Sequence, residues 1–354
     1  MLSIEIIDRA DWANQLGIEW DELLQNSAWA SPFQSRQWIR SWWRYFGGRR
    51  RPYIFTLREG KDLVGVMPLY ESKLPFRSLL PMGRGQSDYM HPLVQNGYEE
   101  KFAQFFSEHI ENLSGIDLID LQQVREGQKV LDEISDSKLL SQENCYLLDL
   151  PSTYDEYVKT LSKSMRYEAR RIMKGPYKTQ EAIIERVGKN DIVSGLEALY
   201  ELHGRRWRKR GLPGSFASKR VRNFHEEFCS QAIDHGMLNL SLLKFEGQPV
   251  GAIYALKVGK TYYYYQSGFD PTHKALSPGS TLVSHTIKEA IESGATQFDF
   301  MRGDEPYKAR WKPQHKLSNM RLIKNLSTTR GMIGTSIKSS VTEVRKRVLA
   351  RLVK

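Results

Sequence analysis

The segment after the short run Phe298-Asp299-Phe300 carries the charged groups with the clearest chemical potential in this chain. Asp304 and Glu305 are adjacent carboxylates, and such a pair can divide the work of proton transfer when the pKa of one member is raised. Lys308 follows closely and is suited to a phosphate or a developing negative charge. We predict that Asp304 acts as a base or substrate anchor and that Lys308 is a catalytic, anion-binding group. Glu305 is equally consistent with a solvated loop.

A second polar group lies at the end of the Tyr-rich segment 262–265. Successive side chains of a strand point to opposite faces, so about half of these tyrosines face a core. Tyr265 is the one that we predict to face a cleft. Gln266 and Asp270 come next and suit hydrogen bonds to a sugar or an amide. We predict that these three residues bind substrate.

A Ser-Pro-Gly-Ser turn at 277–280 directly precedes a predicted helix. Glycine lets the backbone approach a ligand closely, and the free amides at a helix start attract anions. Ser277, Gly279 and Ser280 are therefore predicted to bind the phosphates of a cofactor. The same residues fit an ordinary capped helix with proline near its start equally well.

Helical spacing and a repeat supply further candidates. His203, Arg206 and Trp207 share one helical face. An imidazole titrates near neutral pH, so His203 is a candidate base, and Arg206 and Trp207 are candidates for substrate binding. A histidine and a tryptophan on a helix are also typical of a core. Asp88 is a candidate because it follows the first of two similar segments, much as Asp270 follows the second.

The repeat consists of four landmarks in the same order in both halves of the chain. They are a strand pair with a Glu-Gly turn, an aspartate, a helix, and a short apolar strand after a glycine. They fall at 52–70, Asp88, 98–113 and 115–121, and again at 240–256, Asp270, 280–293 and 294–300. This order predicts a duplicated α/β unit. With further helices over 154–173, 191–209 and 218–235, we predict domains at 1–150 and 151–328 and a tail at 329–354.

The bulk composition favours a soluble two-domain protein. A length of 354 residues exceeds one ordinary core, and 40% hydrophobic and 26% charged residues argue against disorder. No apolar run reaches the roughly 18 residues of a membrane span, and the first residues do not resemble a signal peptide, so we predict a cytoplasmic location. Cys145 and Cys229 lack metal-ligand spacing, which predicts reduced thiols and no metal site.

The net charge of +11 predicts an anionic partner. Two basic clusters suit a nucleotide diphosphate, a tRNA stem or anionic lipid, although most charge runs are solvated faces. The clusters are Lys159, Lys163, Arg166, Arg170, Arg171 and Lys174, and Arg205, Arg206, Arg208, Lys209 and Arg210. The tail from Ser336 predicts a basic amphipathic helix, which either binds an anionic membrane surface at the inner face or docks on its own domain.

Several short motifs occur together over residues 161–311. They are 161–164 with Arg170 and Arg171, His203 with Arg206, Trp207, Arg210 and Gly211, Gly247 with Val250 and Gly251, 265–270, 277–279, and Asp299 and Phe300 with Gly303, Asp304, Tyr307 and Lys308. This set resembles the acetyltransferase domain of cellulose-biosynthesis-type (CelD-like) proteins, in the GCN5-related N-acetyltransferase (GNAT) superfamily. The two-copy layout is similar to the Fem-type aminoacyl transferases of peptidoglycan synthesis.

The resemblance implies an α/β fold with two tandem GCN5-like acyltransferase domains, each a mixed central sheet flanked by helices. The first copy lacks a counterpart of the run 303–308, so we interpret it as degenerate and the second as catalytic. The implied reaction is direct transfer from acyl-CoA, without a metal, to an amine of an exopolysaccharide sugar or a lipid-linked envelope precursor. In the Fem-type resemblance, a lysine at the position of Lys308 binds the donor. Two alternatives stay open, an aminoacyl-tRNA donor and a non-catalytic nucleotide-binding regulator.

Overall fold

The structure is a computed structural model that describes residues 1–174, 182–208, 211–326 and 328–352, without the side chains of 173–174, 206, 274 and 345–352. Its strands are β1 (Leu2–Ile7), β2 (Pro52–Glu59), β3 (Asp62–Ser72), β4 (Ser78–Pro81), β5 (Leu93–Val94), β6 (Leu118–Arg125), β7 (Ser137–Asp149), β8 (Ala182–Arg186), β9 (Leu238–Phe245), β10 (Gln248–Val258), β11 (Thr261–Phe269), β12 (Gln297–Arg302) and β13 (His315–Asn325).

The α-helices are α1 (Trp12–Gln25), α2 (Arg36–Trp42), α3 (Glu99–Glu111), α4 (Val130–Glu133), α5 (Tyr154–Thr160), α6 (Lys163–Lys174), α7 (Ile192–Arg208), α8 (Lys219–Ala232), α9 (Pro278–Glu292), α10 (Pro306–Ala309) and α11 (Thr329–Leu352). Short 3₁₀ helices cover Pro32–Gln34, Lys189–Asp191 and Pro271–Leu276, and a π-helical turn covers Trp43–Gly47. Among the described residues, no helix is both long and apolar enough to cross a bilayer.

The chain forms two compact units whose bounds differ from those of the predicted domains, most of all at the C-terminus. The first unit comprises Met1–Cys145, Arg302–Asp304 and Leu317–Lys354, and the second comprises Tyr146–Met301 and Glu305–Lys316. The C-terminal residues were predicted to continue the second domain and then to form a separate tail. They belong to the first unit because β13 pairs antiparallel with β6 through backbone hydrogen bonds.

The two units share one strand order. In the first, the order is β1-β2-β3-β4-β6-β13, with β5 beside β3, and in the second it is β7-β12-β11-β10-β9-β8. The pairs β1/β2, β2/β3 and β3/β4 are antiparallel and β4/β6 is parallel. In the same sequence, β8/β9, β9/β10 and β10/β11 are antiparallel and β11/β12 is parallel. The predicted duplication is therefore present in the topology.

A glycine in the second strand of each hairpin lets a helix pack closely on the sheet. A Cβ atom at Gly65 would lie 2.4 Å from the ring of Phe102 in α3, and one at Gly251 would lie 2.9 Å from Leu282 in α9. Phe102 and Leu282 are both buried in the apolar cores of their units. Burial of side chains of this size stabilises each helix on its sheet by roughly 1.5–3 kcal/mol per side chain.

The structure corrects the predicted equivalence of Asp88 and Asp270. The backbone N–H of Asp270 donates to the carbonyl of Val250 at 2.9 Å, and the N–H of Gln95 makes the corresponding bond to Val64, also at 2.9 Å. Val64 and Val250 precede the matched glycines of the two hairpins, so Gln95 is the structural counterpart of Asp270. The prediction was wrong because the first copy carries a longer loop after its third strand.

The predicted helix over 154–173 is two helices. The backbone of Leu161 is extended, with φ −70° and ψ 160°, which ends α5. The hydroxyl of Ser162 accepts a hydrogen bond from the N–H of Met165 at 3.3 Å and caps the start of α6. The break matters because it sets the direction of α6, which carries Glu168 and Arg171.

Candidate active site in the second unit

The strands β11 and β12 separate part of the way along their length. They pair in parallel only from Thr261 opposite Gln297 to Tyr263 opposite Asp299, whereas β11 continues to Phe269. Backbone groups of β11 beyond Tyr263 still pair with β10, so the strand keeps its course. The separation leaves an opening in the sheet of this unit.

Buried polar groups contact the end of β12, where its pairing with β11 has stopped. Met301 has a left-handed backbone with φ +62°. The buried carboxylate of Asp299 accepts a hydrogen bond from the N–H of Met301 at 2.7 Å. The Nζ of Lys308 donates a hydrogen bond to the carbonyl of Met301 at 3.0 Å. Lys308 is 2% exposed and forms an ion pair with Glu305 at 2.9 Å. Lys308 therefore shapes the strand end, and its predicted catalytic role stays a prediction.

A cavity of about 410 Å³ lies beside this opening. Its wall is part aromatic, part polar, and comes from α6, β11, the start of α9 and the segment after β12. The lining residues are Glu168, Tyr264, Ser267, Phe269, Asp270, Pro271, Ser277, Pro278, Gly279, Ser280, Val283, Tyr307, Arg310 and Trp311. A concave, mostly apolar space with a few polar groups is typical of a small-molecule site.

Four of the predicted site residues meet in this cavity, namely Asp270, Ser277, Gly279 and Ser280. Other predicted residues of the same unit do not line it, as the wall residues show. These are His203, Trp207, Tyr265, Gln266 and Lys308. The side chain of Arg206 lies outside the described residues.

The start of α9 forms the end of the cavity and carries positive charge. Ser277 is left-handed with φ +45°, and its carbonyl accepts the first helical bond, from Thr281, at 3.0 Å. Arg171 of α6 donates to the Ser277 hydroxyl and to the Ala275 carbonyl, both at 2.9 Å. Arg171 forms no ion pair with any described residue, so its charge adds to the partial positive charge of the helix start. Together these groups suit an anion.

Two carboxylates in the wall are each paired with an arginine. Glu168 forms an ion pair with Arg310 at 2.7 Å, and Asp270 forms one with Arg205 at 2.9 Å. Hydrogen bonds from the hydroxyl and backbone N–H of Thr272 lower the pKa of Asp270, and the charge of Arg205 lowers it further. Asp270 is therefore ionised at neutral pH, which suits binding of an amine or a hydroxyl group better than proton abstraction.

Tyr264, and not Tyr265, is the strand tyrosine in the cavity wall. Its hydroxyl lies 2.5 Å from the Oγ of Ser267. The register of β10 and β11 shifts between Tyr254, opposite Gln266, and Ala255, opposite Tyr264, so Tyr265 is the extra residue of a β-bulge. The ring of Tyr265 packs instead against Tyr254 and His225, with ring centroids 5.2 and 5.5 Å away. The strand pattern has no signal for such a bulge, and the predicted role of Tyr265 in substrate binding stays a prediction.

His203 and Trp207 form a contact of their own within α7. The indole Nε1 of Trp207 donates to the Nε2 of His203 at 2.9 Å. His203 is 3% exposed, and the ring of Phe216 lies edge-on at 5.1 Å. His203 therefore packs as a core residue of this helical face. Its predicted role as a base stays a prediction.

The remaining two candidates belong to the first unit. Asp88 is buried and forms an ion pair with the Nε of Arg302 at 2.6 Å. Both carboxylate oxygens of Asp304 accept from the Nδ2 of Asn144, at 2.8 and 3.0 Å. These bonds fix both carboxylates in position, and their predicted functional roles stay predictions.

We expect the protein to lose stability as the pH falls below about 6.5. Burial lowers the pKa of His225 to about 3, among the rings of Phe216, Phe224, Tyr254 and Tyr265. A histidine with a lowered folded-state pKa stabilises the fold above its unfolded pKa, and this stability is lost as the pH falls towards the folded value. The loss that His225 alone contributes amounts to about 2 kcal/mol by pH 5.

Denaturant unfolding at pH 7 and pH 5 measures this effect. His225→Phe should show a smaller loss between the two pH values than the wild type. Because His91 also has its pKa lowered to about 3 by burial, part of the pH dependence should persist in the variant. An unchanged difference between the two pH values in His225→Phe would show that this imidazole is not the titrating group.

The comparisons with known proteins agree with this geometry. Residues 163–309 match the family described as "Acetyltransferase (GNAT) domain". Among curated proteins, none matches the sequence. The matched range contains α6, the separated strands, α9 and α10. It includes every residue of the cavity wall except Arg310 and Trp311.

Solved structures resemble the chain over nearly its whole length. FemX has a TM-score of 0.65 and 14% identity, covering 90% of this chain and 96% of its own. L-PGS from Bacillus licheniformis has a TM-score of 0.57 and 12% identity, covering 96% and 98%. A tandem GNAT protein from the clavulanic acid biosynthesis pathway has a TM-score of 0.51 and 11% identity, covering 93% and 100%. The protein has the mixed α/β fold of tandem GNAT-like proteins and, with residues 163–309 matching the GNAT acetyltransferase family, is an acyltransferase.

Proposed function

We propose that the second unit transfers an acyl group from acyl-CoA to an amine, and that the acceptor is an amino sugar of an exopolysaccharide or a cell-envelope precursor. The observation that carries this proposal is the cavity at the separation of β11 and β12, closed at one end by the start of α9 and Arg171. The predicted Ser277, Gly279 and Ser280 lie at that end.

The charge at the two equivalent helix starts supports a donor with phosphate groups in the second unit only. The first turn of α9 carries no acidic residue, and Arg171 lies beside it. The corresponding helix of the first unit, α3, begins with Glu99 and Glu100. Carboxylates at that position repel a diphosphate. The first copy is thus unsuited to hold a CoA ester in the same way, which supports its interpretation as degenerate.

The wall of the cavity supplies hydrogen-bonding groups for the thioester, for the departing thiolate and for the acceptor. The amine nitrogen attacks the thioester carbonyl carbon, a C–N bond forms, and the C–S bond then breaks. The amine loses a proton, and the departing thiolate gains one. The hydroxyls of Tyr264 and Ser267 are neutral donors on the wall and suit the thioester oxygen or the thiolate. Glu168 and Asp270 suit the amine and hydroxyl groups of an acceptor sugar.

We expect Arg171→Ala to weaken acetyl-CoA binding by about 10- to 100-fold. The guanidinium is a charged hydrogen-bond donor at the helix start, and a hydrogen bond to a charged group is worth roughly 1.5–3 kcal/mol. Isothermal titration of the full chain with acetyl-CoA measures the change in Kd. Arg170→Ala is the matched control, since Arg170 is the adjacent residue of α6, carries the same charge and is exposed.

Equal affinities of Arg171→Ala and Arg170→Ala would contradict the placement of the phosphates at α9. The reaction itself is tested by measuring the free thiol that is released when acetyl-CoA is hydrolysed or its acetyl group is transferred to glucosamine. Binding with no thiol release in the presence of amino-sugar acceptors would contradict an acyltransferase for sugars.

A second donor, aminoacyl-tRNA, is favoured by the fold similarity to FemX over 90% of the chain and by the net charge of +11. The two-copy layout of the sequence is also similar to that of the Fem-type aminoacyl transferases. Charged tRNA would bind with strong salt dependence, because each phosphate contact releases a counterion. Binding of tRNA without any binding of CoA esters would replace acyl-CoA as the donor in the proposal.

A further inference from the structure

The last helix of the first unit, α11, turns its apolar side outward. It spans Thr329–Leu352, and its described side chains include five large apolar residues that are each at least half exposed. They are Met332, Ile333, Ile337, Val341 and Val344. The last four recur at three- and four-residue spacing and so form one stripe along the helix. We call Ile333, Ile337, Val341 and Val344 the outer stripe.

The opposite side of α11 is small and polar and is buried. A Cβ atom at Gly331 would lie 2.0 Å from the Oδ1 of Asn325, and one at Gly334 would lie 2.6 Å from the Cδ2 of Leu118. Ser339 and Thr342 are also buried. Only glycines and small side chains allow this close approach, so the helix cannot rotate to bury the outer stripe without a clash.

An ion pair fixes the same orientation. The Nζ of Lys338 lies 2.7 Å from the Oδ2 of Asp120, a fully buried carboxylate of β6. Arg321 of β13 also binds Asp120, through its Nε at 2.7 Å, and donates to the hydroxyl of Thr342. The two sequence alternatives for the tail are therefore compatible, because α11 docks on its own unit and still presents an apolar face.

We propose that the outer stripe binds the surface of an anionic lipid bilayer, with α11 lying parallel to it. The stripe from Ile333 to Val344 is about 16 Å long, and a helix in this position buries its apolar side at the level of the lipid headgroups. The charge of the chain favours lipid over a second copy. The last ten residues contain no acid and five bases, namely Arg345, Lys346, Arg347, Arg351 and Lys354.

The positive charge of the chain interacts with the two possible occupants, an anionic bilayer and a second copy, with opposite signs. A net charge of +11 attracts a negatively charged lipid surface and opposes the association of two identical chains. The inference does not depend on the proposed acyl transfer, since the outer stripe contains none of the residues of the cavity wall. It would place the enzyme at a surface where lipid-linked acceptors occur.

Co-sedimentation of the full chain with vesicles tests the proposal. Wild type should bind vesicles of phosphatidylcholine mixed with phosphatidylglycerol, and should bind pure phosphatidylcholine much more weakly. The double variant Ile337→Ser with Val341→Ser should bind the anionic vesicles about tenfold more weakly, because two apolar side chains no longer enter the interface. Both positions face outward, so thermal unfolding should be unchanged.

A control double variant, Ile18→Ser with Val193→Ser, removes two exposed apolar side chains elsewhere on the chain. It should bind the anionic vesicles as the wild type does. Absence of wild-type binding to anionic vesicles would overturn the proposal, as would equal losses in the two double variants. A concentration-dependent dimer in sedimentation velocity that the Ile337/Val341 variant abolishes would also overturn it, by assigning the stripe to a contact between copies.

Discussion

Replacing Asp120 with alanine is expected to lower the free energy of unfolding of the first unit by about 3–5 kcal/mol. Asp120 is fully buried, and its two oxygens accept from the Nε and Nη2 of Arg321, both at 2.7 Å. Lys338 lies 2.7 Å from the same carboxylate. Without Asp120, the buried Arg321 and the partly buried Lys338 would remain next to each other without this counter-charge.

The pKa of Asp120 gives a second test of the same ion pair. Burial alone would raise this pKa, but the hydrogen bonds and charges of Arg321 and Lys338 lower it to about 2. A lowered carboxylate pKa stabilises the fold above the unfolded value of about 3.9, and this stability is lost as the pH falls towards the folded value. The difference between wild type and Asp120→Ala should therefore shrink between about pH 4 and pH 2.

Denaturant unfolding measures the loss, with Glu100→Ala as the control within the same unit. Glu100 forms an ion pair with Lys129 at 2.9 Å, but the two side chains are 74% and 43% exposed. An exposed pair of this kind contributes at most about 1 kcal/mol. Adding Lys338→Met to Asp120→Ala should recover part of the stability, since one unpaired cation is then gone. Similar losses for Asp120→Ala and Glu100→Ala would contradict the role given to the buried pair.

The ion pairs of Asp120 illustrate which parts of the fold can be predicted from the sequence and which cannot. The two hairpins and the helices over 98–113 and 280–293 were predicted because their patterns are local, and the structure has them with shifts of a few residues. The partners of Asp120 lie about 200 residues away along the chain, as 201 and 218 residues separate it from Arg321 and Lys338. No local pattern indicates that pairing, so the return of the C-terminal segment to the first unit was missed.

The residues of the candidate site could likewise be predicted only where a local sequence pattern marks them. Asp270, Ser277, Gly279 and Ser280 were found because a strand end and a helix start mark them in the sequence. Arg171 was predicted only as a member of a basic cluster and of the family motifs, because its position beside Ser277 depends on the break between α5 and α6. Sequence reasoning also missed the carboxylate of Glu168. Its spacing from Arg171 on one helix face was the available signal, since residues three apart on a helix are neighbours.

Gly268→Ala is expected to reduce turnover about 100-fold, although the residue itself carries no functional group. A Cβ atom at this position would lie 2.3 Å from the backbone nitrogen of His203 and 2.7 Å from the carbonyl carbon of Leu202. These are backbone atoms of α7, so neither side can yield by a side-chain rotation. Either α7 or β11 must shift, and the neighbours of Gly268 on β11, Ser267 and Phe269, line the cavity.

Steady-state kinetics with an acyl-CoA donor, together with denaturant unfolding, separate the two consequences of this shift. Overpacking should cost about 1–3 kcal/mol of stability, which leaves most of the protein folded at neutral pH. Gly188→Ala is the control, because a Cβ atom there would make only an ordinary contact, 3.7 Å from the carboxylate of Asp191. If Gly268→Ala kept full turnover and affinity, the close approach of α7 would not be what holds β11 in place, and the cavity would tolerate a shift of its wall.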